Sequence, residues 1–256
     1  MPNLPRLIIL FDNVPGVEGL ERLWGFAALI EADGRRLLFD TGSNGRALLR
    51  NMAALGCPVA SVDTLFLSHP HWDHIGGLDS VLEQNPDLSV VLHQGFSKHL
   101  IADLRGQCRE LVVVGAEPQQ LAPGLFSTGT LDSEPPEHGL VLDLGGVSAA
   151  ISGCAHPGMA RIVERGAALL GRPIDWAIGG FHLMYADAAE IERSIQALQA
   201  LDVAYVVPTH CTGDPARAAF EQAYGAHCVA GGVGREILLW PRPRGERRVF
   251  SSDTSR

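Results

Sequence analysis

Hydrophobic and polar positions along the chain alternate between two patterns, short apolar runs and longer stretches with helical spacing. The apolar runs are bounded by turn-forming residues, which predicts strands over 7–11, 24–31, 35–39, 62–67, 88–92, 111–114, 147–151, 174–178, 203–207 and 236–240. Apolar residues three or four positions apart predict helices over 44–55, 78–83, 97–104, 159–170 and 188–201, with another starting at Asp214 or Pro215. Asp33-Gly34 predicts a two-residue hairpin turn. Together these patterns indicate a mixed α/β fold.

The segment 119–143 carries short apolar runs separated by glycine and proline, which indicates a meander. Its loop at 132–138 contains Pro135-Pro136 and is a candidate rim of a substrate pocket. No linker separates the two similar halves of the chain, about 1–130 and 131–240. We therefore expect a single domain over 1–240, followed by an arginine- and serine-containing mobile tail at 241–256.

Composition favours a globular protein, because hydrophobic residues make up 46% of the 256 positions and charged residues only 19%. The formal net charge is −9 and Lys98 is the one lysine, so a nucleic-acid-binding face is not expected. A small anionic substrate is compatible with this charge, since a bound metal would supply local positive charge. The oligomeric state is left open by these patterns.

Cysteine usage bears on both compartment and metal chemistry. The five cysteines are scattered and form no CxxC pair: Cys57, Cys108, Cys154, Cys211 and Cys228. The sequence therefore predicts neither a disulfide framework nor a thiolate zinc site, and reduced thiols favour a cytoplasmic protein. The first residues lack a signal-peptide pattern and no apolar run is long enough to span a bilayer, so we expect no membrane association.

Candidate metal chemistry is concentrated in the stretch 68–77, which follows the apolar run 62–67. His69 and His71 are two positions apart, so an extended backbone points both side chains to the same side. Asp73 and His74 follow where the chain turns, and Gly76-Gly77 allows a tight bend before the next helix. Imidazole nitrogens with a carboxylate oxygen suit Zn²⁺, and also Mn²⁺ or Fe²⁺.

The pattern His-x-His-x-Asp-His resembles the signature of the metallo-β-lactamase superfamily. Two further segments resemble it in order along the chain, Gly153-Cys154-Ala155-His156-Pro157-Gly158 and Pro208-Thr209-His210-Cys211-Thr212-Gly213. The resemblance implies a four-layer αββα sandwich and one or two metal ions. It implies a first metal bound by His69, His71 and His156, a second bound by Asp73, His74 and His210, and a supporting rather than ligating role for Asp40.

One departure from the family pattern concerns the predicted strand 174–178. Most members with two metals have a bridging aspartate at the end of this strand, whereas this chain has Gly179-Gly180-Phe181-His182. His182 could bind metal or donate a proton or hydrogen bond to substrate, and we expect the second role. We therefore take Asp73 and His182 as the catalytic candidates. His93, His99 and His227 lack such settings and are expected to be ordinary histidines.

The resemblance extends over most of the chain to a subgroup of metal-dependent hydrolases that includes an archaeal dihydropterin–ribofuranosylaminobenzene-phosphate synthase. We expect a hydrolase in which a metal-bound hydroxide attacks an ester or phosphoester of a small molecule. A synthase-like transferase and a non-catalytic, metal-stabilised binding protein are the alternatives. A di-iron redox protein is disfavoured because such relatives have Glu at the position of His71, and an RNA-processing nuclease is disfavoured by the acidic charge.

Overall fold

The computed structural model describes residues 4–242 of the chain. The described residues form thirteen strands, β1 (Arg6–Asp12), β2 (Phe26–Ala32), β3 (Arg35–Phe39), β4 (Thr64–Phe66), β5 (Ser89–His93), β6 (Glu110–Val114), β7 (Gln119–Ala122), β8 (Leu125–Ser127), β9 (Leu140–Leu144), β10 (Val147–Ser152), β11 (Trp176–Gly180), β12 (Tyr205–Thr209) and β13 (Glu236–Leu238). The helices are α1 (Gly45–Ala54), α2 (Trp72–Ile75), α3 (Leu78–Gln84), α4 (Lys98–Leu104), α5 (Met159–Leu170), α6 (Ala188–Ala200) and α7 (Asp214–Tyr224). Single 3₁₀ turns cover Val59–Ser61, His210–Thr212 and Gly225–His227.

The strands form two sheets. The first has seven strands in the order β13-β1-β2-β3-β4-β5-β6, and the second has six in the order β12-β11-β10-β9-β8-β7. Strands β3 to β6 run parallel, as do β10 to β12. The carboxyl ends of parallel strands lie at one edge of a sheet, so the loops that follow them are gathered there.

The alternation of side chains along each strand explains the layers. In β1, Leu7 and Ile9 belong to the core between the sheets, whereas Ile8 and Leu10 belong to the core formed with helices α1, α3 and α4. The inter-sheet core combines residues of both sheets, and the outer face of the second sheet packs against α5, α6 and α7. This arrangement confirms the predicted αββα sandwich.

Most predicted strands differ from the observed ones by one or two residues at an end, and two of them show a side-chain contact at the changed boundary. The predicted strand 62–67 begins later, at Thr64, because the side chain of Asp63 accepts a hydrogen bond from the backbone N–H of Arg36. The predicted strand 174–178 is shifted to Trp176–Gly180, since Asp175 accepts hydrogen bonds from the N–H and hydroxyl of Ser148. The predicted meander is β7 to β9.

Most of the predicted tail, 243–256, lies outside the described residues. Among residues 4–242, none of the helices has the length and apolar character needed to cross a membrane.

Candidate metal centre

The loop after β4 carries four of the predicted ligands. His71 is the N-cap residue of the short helix α2, which contains Asp73 and His74. The helix is fixed by Thr41, whose N–H and hydroxyl both donate to the carbonyl of His74, at 2.7 and 2.9 Å. Gly77 allows this approach because a Cβ there would lie 2.4 Å from the carbonyl oxygen of Thr41. The Asp-Thr-Gly turn at 40–42 is thus the platform for the histidine loop.

The described residues contain five groups of three donor side chains, and two of these groups consist only of predicted ligands. The first triad is His69, His71 and His156, and the second triad is Asp73, His74 and His210. Within each triad, one donor atom from every member lies within 4.8 Å of the others. The structure therefore brings together all six predicted ligands, which come from the loops after β4, β10 and β12.

Oxygen acceptors orient the two histidines of the second triad. His74 Nδ1 lies 2.7 Å from Asp40 Oδ2, and His210 Nδ1 lies 2.7 Å from Asn13 Oδ1. Since both partners accept hydrogen bonds, each Nδ1 donates to its partner, and Nε2 is the nitrogen left to bind a metal. Asp40 is buried and also accepts hydrogen bonds from the N–H and hydroxyl of Ser68, both at 2.7 Å. Asp40 thus contacts a predicted ligand and belongs to neither triad.

A buried carboxylate, Glu137, holds the loop that presents His156. Its Oε1 accepts hydrogen bonds from the N–H groups of Gly153, Cys154 and Ala155, and its Oε2 accepts from the N–H and Nδ1 of His156. Burial acts to raise the pKa of Glu137, but these donors outweigh it and hold the pKa below its usual value. The carboxylate is therefore ionised and fixes both the backbone and the ring of His156.

The surroundings of two ring nitrogens show whether the donor atoms of the two triads fit a metal ion. His69 Nε2 and His210 Nε2 are buried, and neither has a hydrogen-bond partner within the described residues. A buried polar atom without a partner costs about 1–3 kcal/mol, so such atoms require an explanation. Both nitrogens belong to a triad, and a metal ion would supply the missing contact. The nitrogen and oxygen donors are those that zinc, manganese and iron accept.

The charge states of two predicted ligands, His69 and Asp73, also suit metal binding. Burial, followed by the neighbouring histidines, lowers the pKa of His69 well below its usual value, so the ring is neutral. Burial acts to raise the pKa of Asp73, but the imidazoles of His210 and His74 outweigh it and hold the pKa well below its usual range. Metal ligands must be neutral imidazoles or ionised carboxylates, which is the state that His69 and Asp73 favour. Burial acts to lower the pKa of His74, but Asp40 and Asp73 outweigh it and raise the pKa, so metal binding has to displace a proton from this ring.

His182 lies beside the first triad without belonging to it. It follows β11 with φ +55°, and its ring centroid is 4.5 Å from that of His156. One of its nitrogens could still share an ion with Cys154 and His156, whose donor atoms are within 4.8 Å. Hydrogen bonding to Cys211 raises the pKa of His182 above its usual value. An exposed imidazole with a raised pKa can hold a proton near neutral pH.

A cavity of about 540 Å³ opens over both triads. His71, Asp73, His156 and His182 lie on its floor, and its walls include Trp24, Trp72, Met184, Tyr185 and Glu190. Trp72 lies in α2 between His71 and Asp73, so the ligand loop itself contributes an aromatic wall. The prediction that the loop 132–138 forms the rim is wrong: none of its residues lines this cavity, and Glu137 and His138 are fully buried.

Several residues of the site escaped the sequence analysis. Asn13 and Glu137 carry no local motif, and only the contacts with His210 and His156 identify them. The absence of a CxxC pair predicted no thiolate zinc site, so Cys154 was not a candidate, yet its Sγ lies 3.3 Å from His74 Nε2. The signal that could have found Cys154 is its place two residues before His156.

The three histidines expected to be ordinary stand apart from the candidate ligand groups of the described residues: His93, His99 and His227. His93 is buried, and its Nδ1 accepts a hydrogen bond from the N–H of Gly95. His99 is an exposed residue of α4.

Comparison with known proteins adds an independent finding. A sequence model of the metallo-beta-lactamase superfamily matches residues 24–210. The 7,8-dihydropterin-6-methyl-4-(beta-D-ribofuranosyl)-aminobenzene-5'-phosphate synthase of Methanocaldococcus jannaschii is 28% identical, over 78% of this chain and 84% of the synthase. The crystal structure of Tm1679, a metal-dependent hydrolase of the beta-lactamase superfamily, matches with a TM-score of 0.74 at 24% identity, covering 91% of this chain and 98% of that one.

A diphosphatase from the PhnP family shares the fold at a TM-score of 0.58 and 16% identity, over 92% of this chain and 99% of that one. Proteins of this superfamily generally bind metal ions and are generally enzymes. The matched segment begins at Trp24 and ends at His210, so it includes both triads. The chain therefore belongs to the metallo-β-lactamase superfamily.

Proposed function

We propose that this protein is a metal-dependent hydrolase that cleaves an ester or phosphoester bond in a small anionic molecule. The observation that carries the proposal is the pair of adjacent triads, of which His71, Asp73 and His156 line one cavity. The buried Nε2 atoms of His69 and His210 have no hydrogen-bond partner within the described residues. We propose zinc as the metal, with manganese or iron as replacements, in two sites.

The chain's own residues would divide the work of the reaction. His69, His71 and His156 would hold one ion, and Asp73, His74 and His210 the other. A metal bound there lowers the pKa of a coordinated water and polarises the oxygen of the scissile bond. Asp73, whose carboxylate is ionised, would also accept a hydrogen bond from the attacking water and keep it in place.

His182 would donate the proton that the leaving group needs. Its raised pKa favours the protonated ring at neutral pH, and its position on the cavity floor puts it within reach of a bound substrate. A positioned acid of this kind contributes about 10²–10⁴-fold to the rate.

The walls of the cavity support a planar aromatic group in the substrate. Trp24, Trp72 and Tyr185 are exposed aromatic residues on this cavity, with Tyr185 96% exposed. Stacking on such rings favours flat molecules. A second, polar cavity of about 400 Å³ shares Trp24 and Met184 with the first and contains Arg22 and Arg217, which suits a carboxylate or phosphate at the distal end of the substrate.

A transferase is the second candidate function, favoured by one observation. The chain is 28% identical to the archaeal synthase over 84% of its length, and an aromatic-walled cavity suits a pterin-like ring. In that case the two metals would bind a pyrophosphate leaving group, and an arylamine would replace water as the nucleophile.

The test is a substrate panel with zinc-reconstituted protein. The panel contains an aryl phosphodiester, an aryl phosphomonoester, an aryl carboxylic ester, a lactam, a thioester, and a dihydropterin pyrophosphate with and without an arylamine phosphate. We expect metal-dependent hydrolysis of at least one ester or phosphoester. Loss of that activity in His71→Ala, with activity retained in His99→Ala, would tie it to the first triad, because His99 is an exposed histidine outside both triads.

The other outcomes separate the alternatives. Condensed pterin product, formed only when the arylamine is present, would replace the hydrolase by the transferase. A protein that binds metal and is inert toward the whole panel would favour the binding-protein alternative. A protein that binds no metal would contradict all three.

A further inference from the structure

The second cavity, of about 400 Å³, lies directly beside the second triad. His210 lines it, and so does Asn13, whose Oδ1 is 2.7 Å from His210 Nδ1. Trp24 and Met184 line both cavities and therefore form the boundary between them. The ring centroid of Trp24 is 4.9 Å from that of His210. A molecule that passes Trp24 can thus have one end at the triads and the other end in the second cavity.

Two arginines from distant parts of the chain meet at the second cavity. Arg22 belongs to the loop between β1 and β2, and Arg217 to the first turn of α7. Arg22 is exposed and makes no hydrogen bond or ion pair within residues 4–242. Arg217 uses one side-chain nitrogen, Nη2, in a contact of 2.5 Å with Asp214 Oδ1, and its buried Nε has no partner in the described part of the chain. Both guanidinium groups therefore have unused N–H donors.

The acidic residue that lines the same cavity, Asp214, offsets only part of this positive charge. Its side chain is 90% exposed, so water screens the ion pair with Arg217 and keeps it weak. A ligand with two negative charges can therefore compete with Asp214 for Arg217. In addition, no side chain caps the amino end of α7 at Gly213, and the helix dipole adds positive potential at this wall. The balance of charge in the second cavity thus favours an anion.

We propose that Arg22 and Arg217 form a subsite for a terminal phosphate group of the substrate, separate from the bond that is cleaved. A guanidinium presents paired N–H donors in one plane, which match the oxygens of a phosphate, and a phosphate has enough oxygens for both arginines. A carboxylate has two oxygens and one negative charge, so it fits this pair less well. The inference rests on the proposed function, which places the reacting bond at the triads, and it narrows the substrate to a molecule with a terminal phosphate.

The test measures the binding of stable substrate analogues to the zinc-reconstituted protein by isothermal titration calorimetry. The analogues are anilides of short aliphatic acids that end in a phosphate, a carboxylate or a hydroxyl group, with linkers of graded length. Their phenyl ring suits the aromatic walls of the first cavity, and the amide bond resists cleavage. At the best linker length, the phosphate analogue should bind about 10–100-fold more tightly than the hydroxyl analogue, as charge-assisted hydrogen bonds allow. The carboxylate analogue should gain less.

Variants assign this gain in affinity to the two arginines. Arg22→Gln and Arg217→Gln should each reduce the gain by about 3–10-fold, and the double variant should abolish it. Arg105→Gln is the matched control, because Arg105 is an exposed arginine at the end of α4 that lines neither cavity, and it should keep the wild-type gain. Asp214→Asn should increase the gain, since it removes the negative charge beside Arg217.

The inference is overturned if the phosphate analogue shows no gain at any linker length. It is also overturned if the double variant keeps the gain, because the phosphate would then bind at the metals, or if the carboxylate analogue gains as much as the phosphate analogue. The outcome does not depend on catalysis. An arginine-dependent gain in a protein that is inert toward the whole substrate panel contradicts only the proposed function, whereas hydrolysis without such a gain contradicts only the inference.

Discussion

His156 Nδ1 lies 2.9 Å from Glu137 Oε2, and the same carboxylate accepts hydrogen bonds from the backbone N–H groups of residues 153–156. One side chain therefore sets both the path of the loop after β10 and the tautomer of a predicted ligand. A histidine whose Nδ1 proton is held in this way presents the Nε2 lone pair to a metal.

Replacing Glu137 by glutamine tests this relationship. The variant keeps the shape of the side chain but loses the charge and one acceptor, so donors in the loop are left without partners. We expect metal affinity to fall about 10–100-fold and the free energy of unfolding to fall by about 1–3 kcal/mol. Metal titration and denaturant unfolding measure the two effects. Glu134→Gln, the same change at an exposed position of the same loop, should leave both quantities unchanged.

Asp40→Asn should damage the second triad through the tautomer of His74. The amide nitrogen of asparagine donates where Asp40 Oδ2 accepts, so His74 Nδ1 would have to give up its proton and Nε2 would gain one. We expect one metal equivalent to bind about 10–100-fold more weakly while the other is retained. Competition with a metal indicator measures both. Asp33→Asn, in the exposed β2–β3 hairpin, is the control. Equal weakening of both equivalents would contradict this explanation.

His182→Ala separates a proton donor from a metal ligand. If His182 acts on substrate, turnover should fall about 10²–10⁴-fold while metal stoichiometry and affinity stay at the wild-type values. The expected result follows from the position of His182 outside both triads. Parallel measurement of elemental zinc content and kcat gives the answer. Loss of one zinc equivalent would instead make His182 a ligand, and unchanged turnover would remove it from the mechanism.

Metal removal should lower the stability of the whole fold. Each triad joins the loop after β4, in the first sheet, to a loop of the second sheet, so metal binds the folded state and not the unfolded one. At a free metal concentration of 100 times Kd, this adds about 2.7 kcal/mol per site. For a chain of this size that corresponds to a Tm about 5–10 °C higher. Differential scanning fluorimetry should show the shift in wild type and in His99→Ala, and a reduced shift in His71→Ala.

The buried histidine His138 should make stability depend on pH. Burial lowers its pKa to about 3, and its ring bonds to the carbonyl of Leu67 and the hydroxyl of Ser127. The unfolded chain binds a proton at this residue below about pH 6.5, whereas the folded protein does not until about pH 3. Stability should therefore fall as pH falls through this window, by up to about 1.4 kcal/mol per pH unit.

His138→Gln, measured without metal, isolates this effect. The variant keeps one donor and one acceptor but cannot titrate, so it should be less stable at neutral pH and lose less stability on acidification. The difference in unfolding free energy between the two proteins should shrink as pH falls from 7.5 to 5. His93, whose ring lies 5.0 Å from His138, is present in both proteins and cancels in this comparison. Parallel curves would show that His138 does not carry the dependence.

The sequence predicts the fold of this protein more completely than it predicts the residues of the candidate site. The spacing of apolar residues predicts most strands and helices, because the residues that form each face of an element such as β1 or α6 are close together in the sequence. His156 and His210 were predicted through the resemblance to the family, because each lies in a segment that follows the main motif in the expected order. Ligands of this kind follow an apolar strand in the sequence, so the residues next to them are enough to identify them.

Residues that act through long-range contacts were not found this way. Glu137 follows two prolines, a sequence typical of a surface loop, yet its carboxylate is buried and accepts hydrogen bonds from residues 153–156. Asn13 lies in an irregular segment nearly two hundred residues from His210, whose ring it orients. Nothing in the neighbouring residues encodes such a partner, because the contact exists only once both sheets have packed.

The place of Trp72 between His71 and Asp73 has a consequence for the range of molecules that the cavity can take. Trp72 and the two predicted ligands lie in one turn of backbone. In the proposed function, this turn therefore sets the distance between a substrate ring stacked on Trp72 and the bond that is cleaved at the metal site. A longer or bulkier substrate would have to be accommodated around Met184 and Tyr185, which also line the cavity. Relatives that act on different compounds should therefore differ at these two positions and keep the same spacing on the Trp72 side.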